Sequence, residues 1–269
     1  MHTSSSPQKT PFRKLAYGGN RYQYGELYVP AGSGPHPVVI LIHGGFWRKA
    51  YDLTLMQGLA QQLITQQIAV WNIEYRRVGN TGGAWPETLL DVARAADYLR
   101  SMAPHYQLDL QRVITVGHSA GGHLAFWLAA RQRLPQKSQL RILNDPLPLV
   151  GAISQAGVVD LEHADKLHLG NDAAQELLGG SFADQLERYK LASPAALLPL
   201  DIPQVLVHGT ADDRVPLVIS QAYQQKAQAA GDDVTLIELP GADHFILIDP
   251  ASEAWQQTLV EIKRLLMLV

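Results

Sequence analysis

The sequence contains no cysteine. Disulfide bonds, thiolate nucleophiles and cysteine-ligated metal sites are therefore excluded. An excess of either charge is also missing, since 22 Lys and Arg residues stand beside 25 Asp and Glu residues and the formal net charge is -3. Without a broad basic surface, a protein has little attraction for phosphate backbones or anionic membranes. We therefore expect neither a nucleic acid nor a membrane as partner.

Long hydrophobic runs are also missing from the sequence. No stretch reaches the roughly 18 uninterrupted apolar residues that a membrane-spanning helix needs. The opening stretch, MHTSSSPQKTPFRKLAYGG, lacks the apolar segment of a signal peptide. These features predict a soluble, cytoplasmic protein.

What the sequence does contain is a regular alternation of strand and helix patterns. With 269 residues and 46% hydrophobic content, the chain can bury one sizeable core. Strand patterns occur in RYQYGELYVP, HPVVILIHGG, IAVWNIEYRR, RVITVGHS, PLVGAISQAGVVDL, PQVLVHG and VTLIELPG. Helical patterns lie between them, near 53–66, from about 86 past 99, and near 121–132, 217–230 and 252–267. This alternation predicts an α/β fold with a mostly parallel, doubly wound central sheet and helices on both faces.

Two segments depart from this regular pattern. Residues 1–15 are rich in Ser, Pro and Lys and are predicted to form a flexible tail, so that 16–269 make a single domain. Residues from about 160 to 200 contain short helical patterns where a simple crossover would need far fewer residues. Because ligands bind outside the carboxyl ends of strands in open α/β sheets, we expect this small helical insertion to lie near the functional site. A solvated crossover without substrate contact is the alternative.

The stretch TVGHSAGGHLAFW contains the pattern G-x-S-x-G at Gly117, Ser119 and Gly121. A β-branched strand pattern precedes the motif and a helical pattern follows it, which is the context of a nucleophilic serine held on a sharp turn. Side chains two positions from the serine would collide with such a turn, so small residues are required there. The alternative is that Ser119 is an ordinary helix cap.

A serine hydroxyl needs a base within hydrogen-bond reach, and the base needs a carboxylate to orient it. Asp212 follows the strand pattern PQVLV, and His244 follows the strand pattern VTLIELPG. With Ser119, both residues are therefore predicted at the carboxyl edge of one parallel sheet. Asp213 is a neighbouring alternative for the acid, whereas Asp243 is expected to be a surface charge.

The ordered set HGGFW, GHSAGGHLA, HGTADDRVP and GADHF resembles the α/β-hydrolase superfamily and spans the chain from about residue 38 to 248. HGGFW followed by GHSAGGHLA is similar to the H-G-G-x-W branch, which includes arylformamidases (kynurenine formamidases) and related carboxylesterases. The resemblance implies an α/β-hydrolase fold and a catalytic triad of Ser119, Asp212 and His244. The family pattern H-G-x-x-D fits Asp212 rather than its neighbour.

Catalysis at an ester carbonyl also requires backbone N–H donors where the oxygen becomes negative. One donor is normally the residue after the nucleophile, here Ala120, at the positive end of its helix. By resemblance, Gly44 and Gly45 supply the rest of the oxyanion hole. Lipase and esterase relatives often have a third glycine where this sequence has Phe46. We expect Phe46 and Trp47 to line the substrate pocket.

The sequence thus predicts a serine hydrolase that cleaves small carboxylic esters or aryl-formamides through an acyl-enzyme, without a cofactor or metal. The partner is a small ester or amide substrate, and the sequence does not indicate an oligomeric state. One alternative is an oligopeptidase-like serine peptidase, although those enzymes usually carry a propeller domain for which this chain has no room. The other is a non-catalytic α/β-hydrolase relative that binds a small molecule.

Overall fold

The computed structural model describes residues 11–268, which are built around one eight-stranded sheet. The strands are β1 (Arg13–Ala16), β2 (Tyr24–Tyr28), β3 (His36–Ile42), β4 (Ala69–Ile73), β5 (Leu108–His118), β6 (Gly151–Gln155), β7 (Gln204–Gly209) and β8 (Val234–Leu239). Their order in the sheet is β1-β2-β4-β3-β5-β6-β7-β8. The β1–β2 and β2–β4 pairs are antiparallel and all the others are parallel, which confirms the predicted fold class.

Helices cover both faces of this sheet. They are α1 (Gln57–Thr65), α2 (Glu87–Tyr106), α3 (Ala120–Ala130), α4 (Leu161–Lys166), α5 (Leu169–Leu178), α6 (Leu186–Ala192), α7 (Val218–Ala229) and α8 (Glu253–Leu265). Buried side chains of α2 to α7 join one hydrophobic cluster, and those of α1 and α8 join a second. Within residues 11–268, no helix combines the length and apolar character that crossing a bilayer requires.

The apolar run of β3 shows how the sequence produces this layered arrangement. Every residue of β3 is buried. Val38, Ile40 and Ile42 pack into the cluster on one face, whereas Val39 and Leu41 pack into the cluster on the other. Successive strand side chains point to opposite faces, so a strand covered by helices on both sides reads as a continuous hydrophobic run.

The predicted tail is too long at its carboxyl end. Residues 13–15 belong to β1, whose main chain pairs with β2 at the edge of the sheet. The short strand is mostly exposed, so it lacks the buried apolar alternation that sequence reasoning depends on. Lys14 also lies over the ring of Tyr24, with its Nζ atom 3.7 Å from the ring centroid. The predicted tail residues 1–10 lie outside the described residues.

The predicted insertion occupies the connection between β6 and β7. It contains α4, α5 and α6, followed by a short 3-10 turn at Pro194–Ala196. Its buried side chains, such as Ala173 and Leu177 of α5, join the same cluster as the helices on that face of the sheet. The insertion therefore shares the main core with the rest of the domain.

A buried ion pair ties the loop after β4 to α2. Asp91 is fully buried, and it accepts hydrogen bonds from Nε and Nη2 of Arg76, each at 2.7 Å, and from Nε2 of Gln23 at 2.6 Å. Glu87 contacts the same guanidinium at 2.7 Å. Removing one partner of such a pair leaves a buried charge without compensation.

We therefore expect Arg76→Met to lower the free energy of unfolding by about 3 kcal/mol, because buried Asp91 would lose its closest counter-ion and keep only Arg94, at 3.5 Å. Urea denaturation at pH 7 measures the change. Arg264→Met is the control, since Arg264 is 46% exposed and pairs with Glu261 on the surface of α8. An exposed pair contributes about 0 to 1 kcal/mol. Equal effects of the two substitutions would contradict this account.

Candidate active site

Ser119 lies on the sharp turn between β5, which ends at His118, and α3, which begins at Ala120. Its backbone dihedrals are φ 57 and ψ -121, a conformation that L residues rarely adopt and that costs free energy. The Ser119 side chain makes no capping hydrogen bond to α3. The geometry is that of a serine presented on a strained turn rather than that of a helix cap.

The two glycines of the motif are required by close backbone contacts. A Cβ atom on Gly117 would lie 2.0 Å from the carbonyl oxygen of Gly121. A Cβ atom on Gly121 would lie 2.0 Å from the carbonyl oxygen of Ile42, the last residue of β3. Both distances are far inside van der Waals contact, so the turn closes only with glycine at these positions.

Asp212 and His244 meet at the carboxyl edge of the sheet, in the loops that follow β7 and β8. Nδ1 of His244 donates a hydrogen bond of 2.7 Å to Oδ2 of Asp212. The side chains are almost completely buried, with 3% of His244 and 0% of Asp212 exposed. The N–H groups of Arg214 and Val215 donate to Oδ1 of Asp212, each at 2.8 Å. The carboxylate is therefore fixed in position from both of its oxygens.

A second histidine, His208 at the end of β7, supports the same carboxylate. Its Nε2 atom lies 3.3 Å from Oδ2 of Asp212 and donates to the carbonyl of Val215 at 2.8 Å. The hydroxyl of Ser220 lies 2.7 Å from its Nδ1 atom. Burial favours the neutral acid, but the hydrogen bonds from His208 and His244 outweigh it and hold the pKa of Asp212 well below its usual range.

The other two aspartates of this region have different environments. Asp213 is 74% exposed and its carboxylate lies 3.3 Å from Nε of Arg214. Asp243 accepts hydrogen bonds from the N–H groups of Phe245 and Ile246, each at 2.9 Å, and so shapes the turn that carries His244. Of these three aspartates, Asp212 is the one that is hydrogen-bonded to the ring of His244.

A cavity of about 250 Å³ lies beside Ser119 and His244. The residues that line it are Gly45, Phe46, Tyr51, Leu55, His118, Ser119, Arg214, His244 and Phe245. Three aromatic side chains and a leucine make much of this wall apolar, and Arg214 adds a partly exposed guanidinium. The cavity can therefore take a small, partly aromatic ligand next to the serine.

The loop after β3 brings Gly44 and Gly45 to the same place. A Cβ atom on Gly44 would lie 2.9 Å from Cβ of Ser119, and Gly45 has a φ of +107 and lines the cavity. Ala120 is the first residue of α3, and the first N–H groups of a helix have no acceptor within the helix. His43, which precedes Gly44, anchors the loop through a contact of 3.1 Å between its Nε2 atom and Oε1 of Glu74.

Phe46 lines the cavity, but the expectation that Trp47 also lines it is wrong. Trp47 is 1% exposed, and its Nε1 atom donates a 3.2 Å hydrogen bond to Nδ1 of His123 in α3. Nε2 of His123 in turn donates to the carbonyl of Ala192 at 2.9 Å. Both Phe46 and Trp47 have positive φ, so their side chains do not follow the alternation of a strand, and Trp47 turns into the core.

Among the described residues, none that lines the cavity belongs to the insertion, which contacts the loop that carries Phe46. A Cβ atom on Gly170 would lie 2.6 Å from the ring of Phe46. Arg48 donates to Glu176 at 2.6 Å and to the carbonyl of Asn171 at 3.0 Å. The lining residues come from other parts of the chain, so the insertion shapes the cavity by holding Phe46 in place.

Sequence reasoning missed several residues of the site, namely Tyr51, Leu55, His118, His208, Arg214 and Phe245. Three of these residues lie within or next to the sequence motifs of the site. His118 is the variable position of G-x-S-x-G, Arg214 lies two residues after the predicted acid, and Phe245 directly follows the predicted base. Tyr51 and Leu55 follow Gly44 and Gly45 in the sequence, but no motif specifies their positions.

Ser119, Asp212 and His244 follow β5, β7 and β8. This chain order of Ser, Asp and His is that of α/β-hydrolases, and the resemblance to that superfamily is confirmed. A family model described as BD-FAE matches residues 26–227. The chain belongs to the BD-FAE family.

Two curated relatives cover most of this chain. A protein of Arabidopsis thaliana named "Probable isoprenylcysteine alpha-carbonyl methylesterase" is 27% identical over 254 residues, which are 88% of this chain and 52% of the relative. Esterase LipC of Mycobacterium tuberculosis is 26% identical over 251 residues, which are 89% of this chain and 61% of the relative. The chain thus spans between half and two thirds of the length of these relatives.

Solved structures share the fold. A truncated carbohydrate esterase from gut microbiota superposes with a TM-score of 0.82 at 20% identity, covering 98% of this chain and 100% of that chain. Inhibited esterase B from Lactobacillus rhamnosis superposes with a TM-score of 0.83 at 22% identity, covering 98% of this chain and 88% of that chain.

Two buried histidines beside the site make stability depend on pH. Burial lowers the pKa of His118 to about 3, helped by the nearby His244, and burial lowers the pKa of His123 to about 4. An unfolded histidine has a pKa of about 6.5. Below that pH the unfolded chain binds more protons than the folded protein. The contribution of each neutral histidine to the free energy of unfolding is therefore fully present above pH 6.5 and is lost as the pH falls toward the pKa of the folded state.

We expect the free energy of unfolding to fall by about 3 kcal/mol per histidine between pH 7.5 and pH 4.5. Urea denaturation at the two pH values measures the change. The side chain in His118→Gln cannot take up this proton. The fall in the free energy of unfolding between the two pH values should therefore be smaller in this variant by about 3 kcal/mol. An equal pH dependence in the variant and the wild type would contradict the assignment to His118.

Proposed function

We propose that the protein is a serine hydrolase that cleaves small carboxylic esters with a catalytic triad of Ser119, His244 and Asp212. The observation that carries the proposal is the buried hydrogen bond of 2.7 Å between His244 and Asp212, at a cavity into which the strained turn presents Ser119. The names of the relatives, which include esterases and a methylesterase, support the same reaction class.

In the acylation step, Oγ of Ser119 attacks the ester carbonyl carbon while Nε2 of His244 takes the hydroxyl proton. The carbonyl oxygen becomes negative and accepts hydrogen bonds from the N–H groups of Ala120 and the Gly44–Gly45 loop. Asp212 accepts a hydrogen bond from the Nδ1–H group of His244 and stabilises the imidazolium. The tetrahedral intermediate then expels the alkoxide, which takes the proton from His244 and leaves as the alcohol.

In the deacylation step, water attacks the acyl-enzyme carbonyl and gives its proton to His244. The second tetrahedral intermediate collapses, the bond to Oγ of Ser119 breaks, and the proton returns from His244 to that oxygen. The products are a carboxylic acid and the regenerated serine. Every step uses side chains and backbone groups of this chain together with water.

The cavity supports a small substrate. Its volume of about 250 Å³ is below the roughly 300 to 1,000 Å³ of pockets for drug-sized ligands. Phe46, Tyr51 and Phe245 are suited to packing against an aromatic group. This wall favours aryl esters, and it is also the observation that favours aryl-formamides as the second candidate substrate class.

A panel of three substrates separates these classes: N-formylkynurenine, p-nitrophenyl acetate and p-nitrophenyl octanoate. We expect kcat/KM for the acetate to exceed that for the octanoate, because the cavity has little room for a long acyl chain. Formamide turnover above that of the acetate would assign the protein to arylformamidase activity. Ser119→Ala should lower each rate by about 10³-fold or more while the thermal unfolding curve shows a folded protein. Wild-type rates in this variant would overturn the proposal.

The identity of the acid is tested by two substitutions of adjacent residues. Asp212→Asn should lower kcat by about 10⁴-fold, because an amide in that position favours the wrong tautomer of His244. Asp213→Asn is the matched control and should keep near wild-type kcat, since Asp213 is exposed and pairs with Arg214 at the surface. Steady-state kinetics on p-nitrophenyl acetate gives both values. A large loss in Asp213→Asn alone would reassign the acid.

A further inference from the structure

Among the described residues, the side chain of His118 makes one hydrogen bond, and that bond goes to the residue proposed as the base. His118 is the last residue of β5 and is 1% exposed. Its Nε2 atom lies 2.9 Å from the backbone carbonyl oxygen of His244. The two imidazole rings are tilted by 49° to each other, with centroids 4.5 Å apart. A residue adjacent to Ser119 in the chain is therefore in direct contact with His244.

The contact fixes the tautomer of His118. A carbonyl oxygen only accepts hydrogen bonds, so Nε2 carries the proton and Nδ1 holds a lone pair. Among the described residues, Nδ1 of His118 has no hydrogen-bond partner. A Cβ atom on Gly44 would lie 3.2 Å from this nitrogen, which shows how closely the glycine loop covers it. The imidazole thus directs its single donor to one atom, the carbonyl oxygen of His244.

The charge state of His118 suits this position. Burial, together with the adjacent His244, lowers the pKa of His118 to about 3, so the ring is neutral near pH 7. When His244 takes the serine proton it becomes an imidazolium, and a second cation at a ring distance of 4.5 Å would oppose that step. A neutral donor holds the His244 backbone without this repulsion.

The remaining contacts of the His244 loop lead to other parts of the fold. Asp212 holds the side chain of His244 through Nδ1. The carbonyl of Leu247 accepts from Nε2 of Gln155, and the carbonyl of Ile246 accepts from the hydroxyl of Ser252. The bond from His118 connects the loop to the residue next to the nucleophile, so it acts directly on the separation between nucleophile and base.

We propose that His118 is a positioning residue, which sets the place of His244 relative to Ser119 through its hydrogen bond to the His244 carbonyl. The inference rests on the proposed function, in which His244 is the base. A displacement of about 1 Å can cost about 100-fold in rate. Loss of the bond should therefore lower kcat more than it changes KM, because the other eight residues that line the cavity are unchanged.

Three variants test the role of the hydrogen bond. His118→Phe keeps a ring and removes the donor, and we expect kcat to fall by about 10- to 100-fold with KM within about threefold. The side-chain amide of His118→Gln can reach the same carbonyl and should restore kcat to within about fivefold of wild type. Thr115→Val is the control, because it deletes a buried hydrogen bond from the same strand, to the Ala125 carbonyl, and should keep wild-type kcat.

A spectroscopic measurement distinguishes positioning from general support of the fold. The Nδ1 proton of His244, shared with Asp212, should give a low-field proton resonance in the wild type, in His118→Gln and in Thr115→Val. In His118→Phe we expect this resonance to broaden or disappear as His244 loses its fixed place. If His118→Phe does not fold, His118→Asn replaces it, since its amide is one methylene too short and should behave as the donor-free variant.

The possible outcomes are separable. An inactive wild type would contradict the proposed function before His118 is considered. An active wild type with equal kcat and an equal low-field resonance in His118→Phe would overturn the positioning role. Equal losses of kcat in His118→Phe, His118→Gln and Thr115→Val would also overturn it, because the effect would then follow stability rather than the hydrogen bond.

Discussion

The strained turn at Ser119 is the constraint on which the rest of the site depends. The conformation of this residue is unfavourable by itself, and the surrounding sheet holds it. The N–H group of Ser119 donates to the carbonyl of Gln155 at 2.8 Å, and the carbonyl of Ser119 accepts from the N–H group of Val158 at 3.3 Å. Both partners belong to β6 or the loop after it, so the neighbouring strand fixes the turn from the side.

The same edge of the sheet carries the buried carboxylate of Asp212. Asp212 accepts hydrogen bonds from His244 and from two backbone N–H groups, and Nε2 of His208 lies 3.3 Å from it. This set of donors keeps it ionised despite burial. Burial keeps the neighbouring His118 neutral. A charged His118 would oppose the protonation of His244 during catalysis. Burial favours the neutral form of both Asp212 and His118, but only the carboxylate is surrounded by donors that keep it charged.

The sequence was sufficient for seven of the eight strands, β2 to β8, and for placing Ser119, Asp212 and His244 at strand ends. Ser119, Asp212 and His244 could be placed together because parallel strands end at one edge of the sheet. The tail was predicted too long because β1 is a short, exposed edge strand held by main-chain pairing. Trp47 was misplaced because positive φ at two successive residues reverses the direction that side chains would otherwise take. His118 was missed because its importance lies in a contact with His244, 126 residues away in the sequence. His208 was missed because its contact with Asp212 depends on the course of the turn after β7.

Modification of the folded protein with a fluorophosphonate tests the central claim most directly. We expect one covalent adduct per chain, located at Ser119 by mass spectrometry of peptides, and a much slower reaction in His244→Gln. That result would show a serine activated by a histidine in the place that the fold assigns to it. No adduct on the folded wild-type protein, or an adduct on a different residue, would contradict the account.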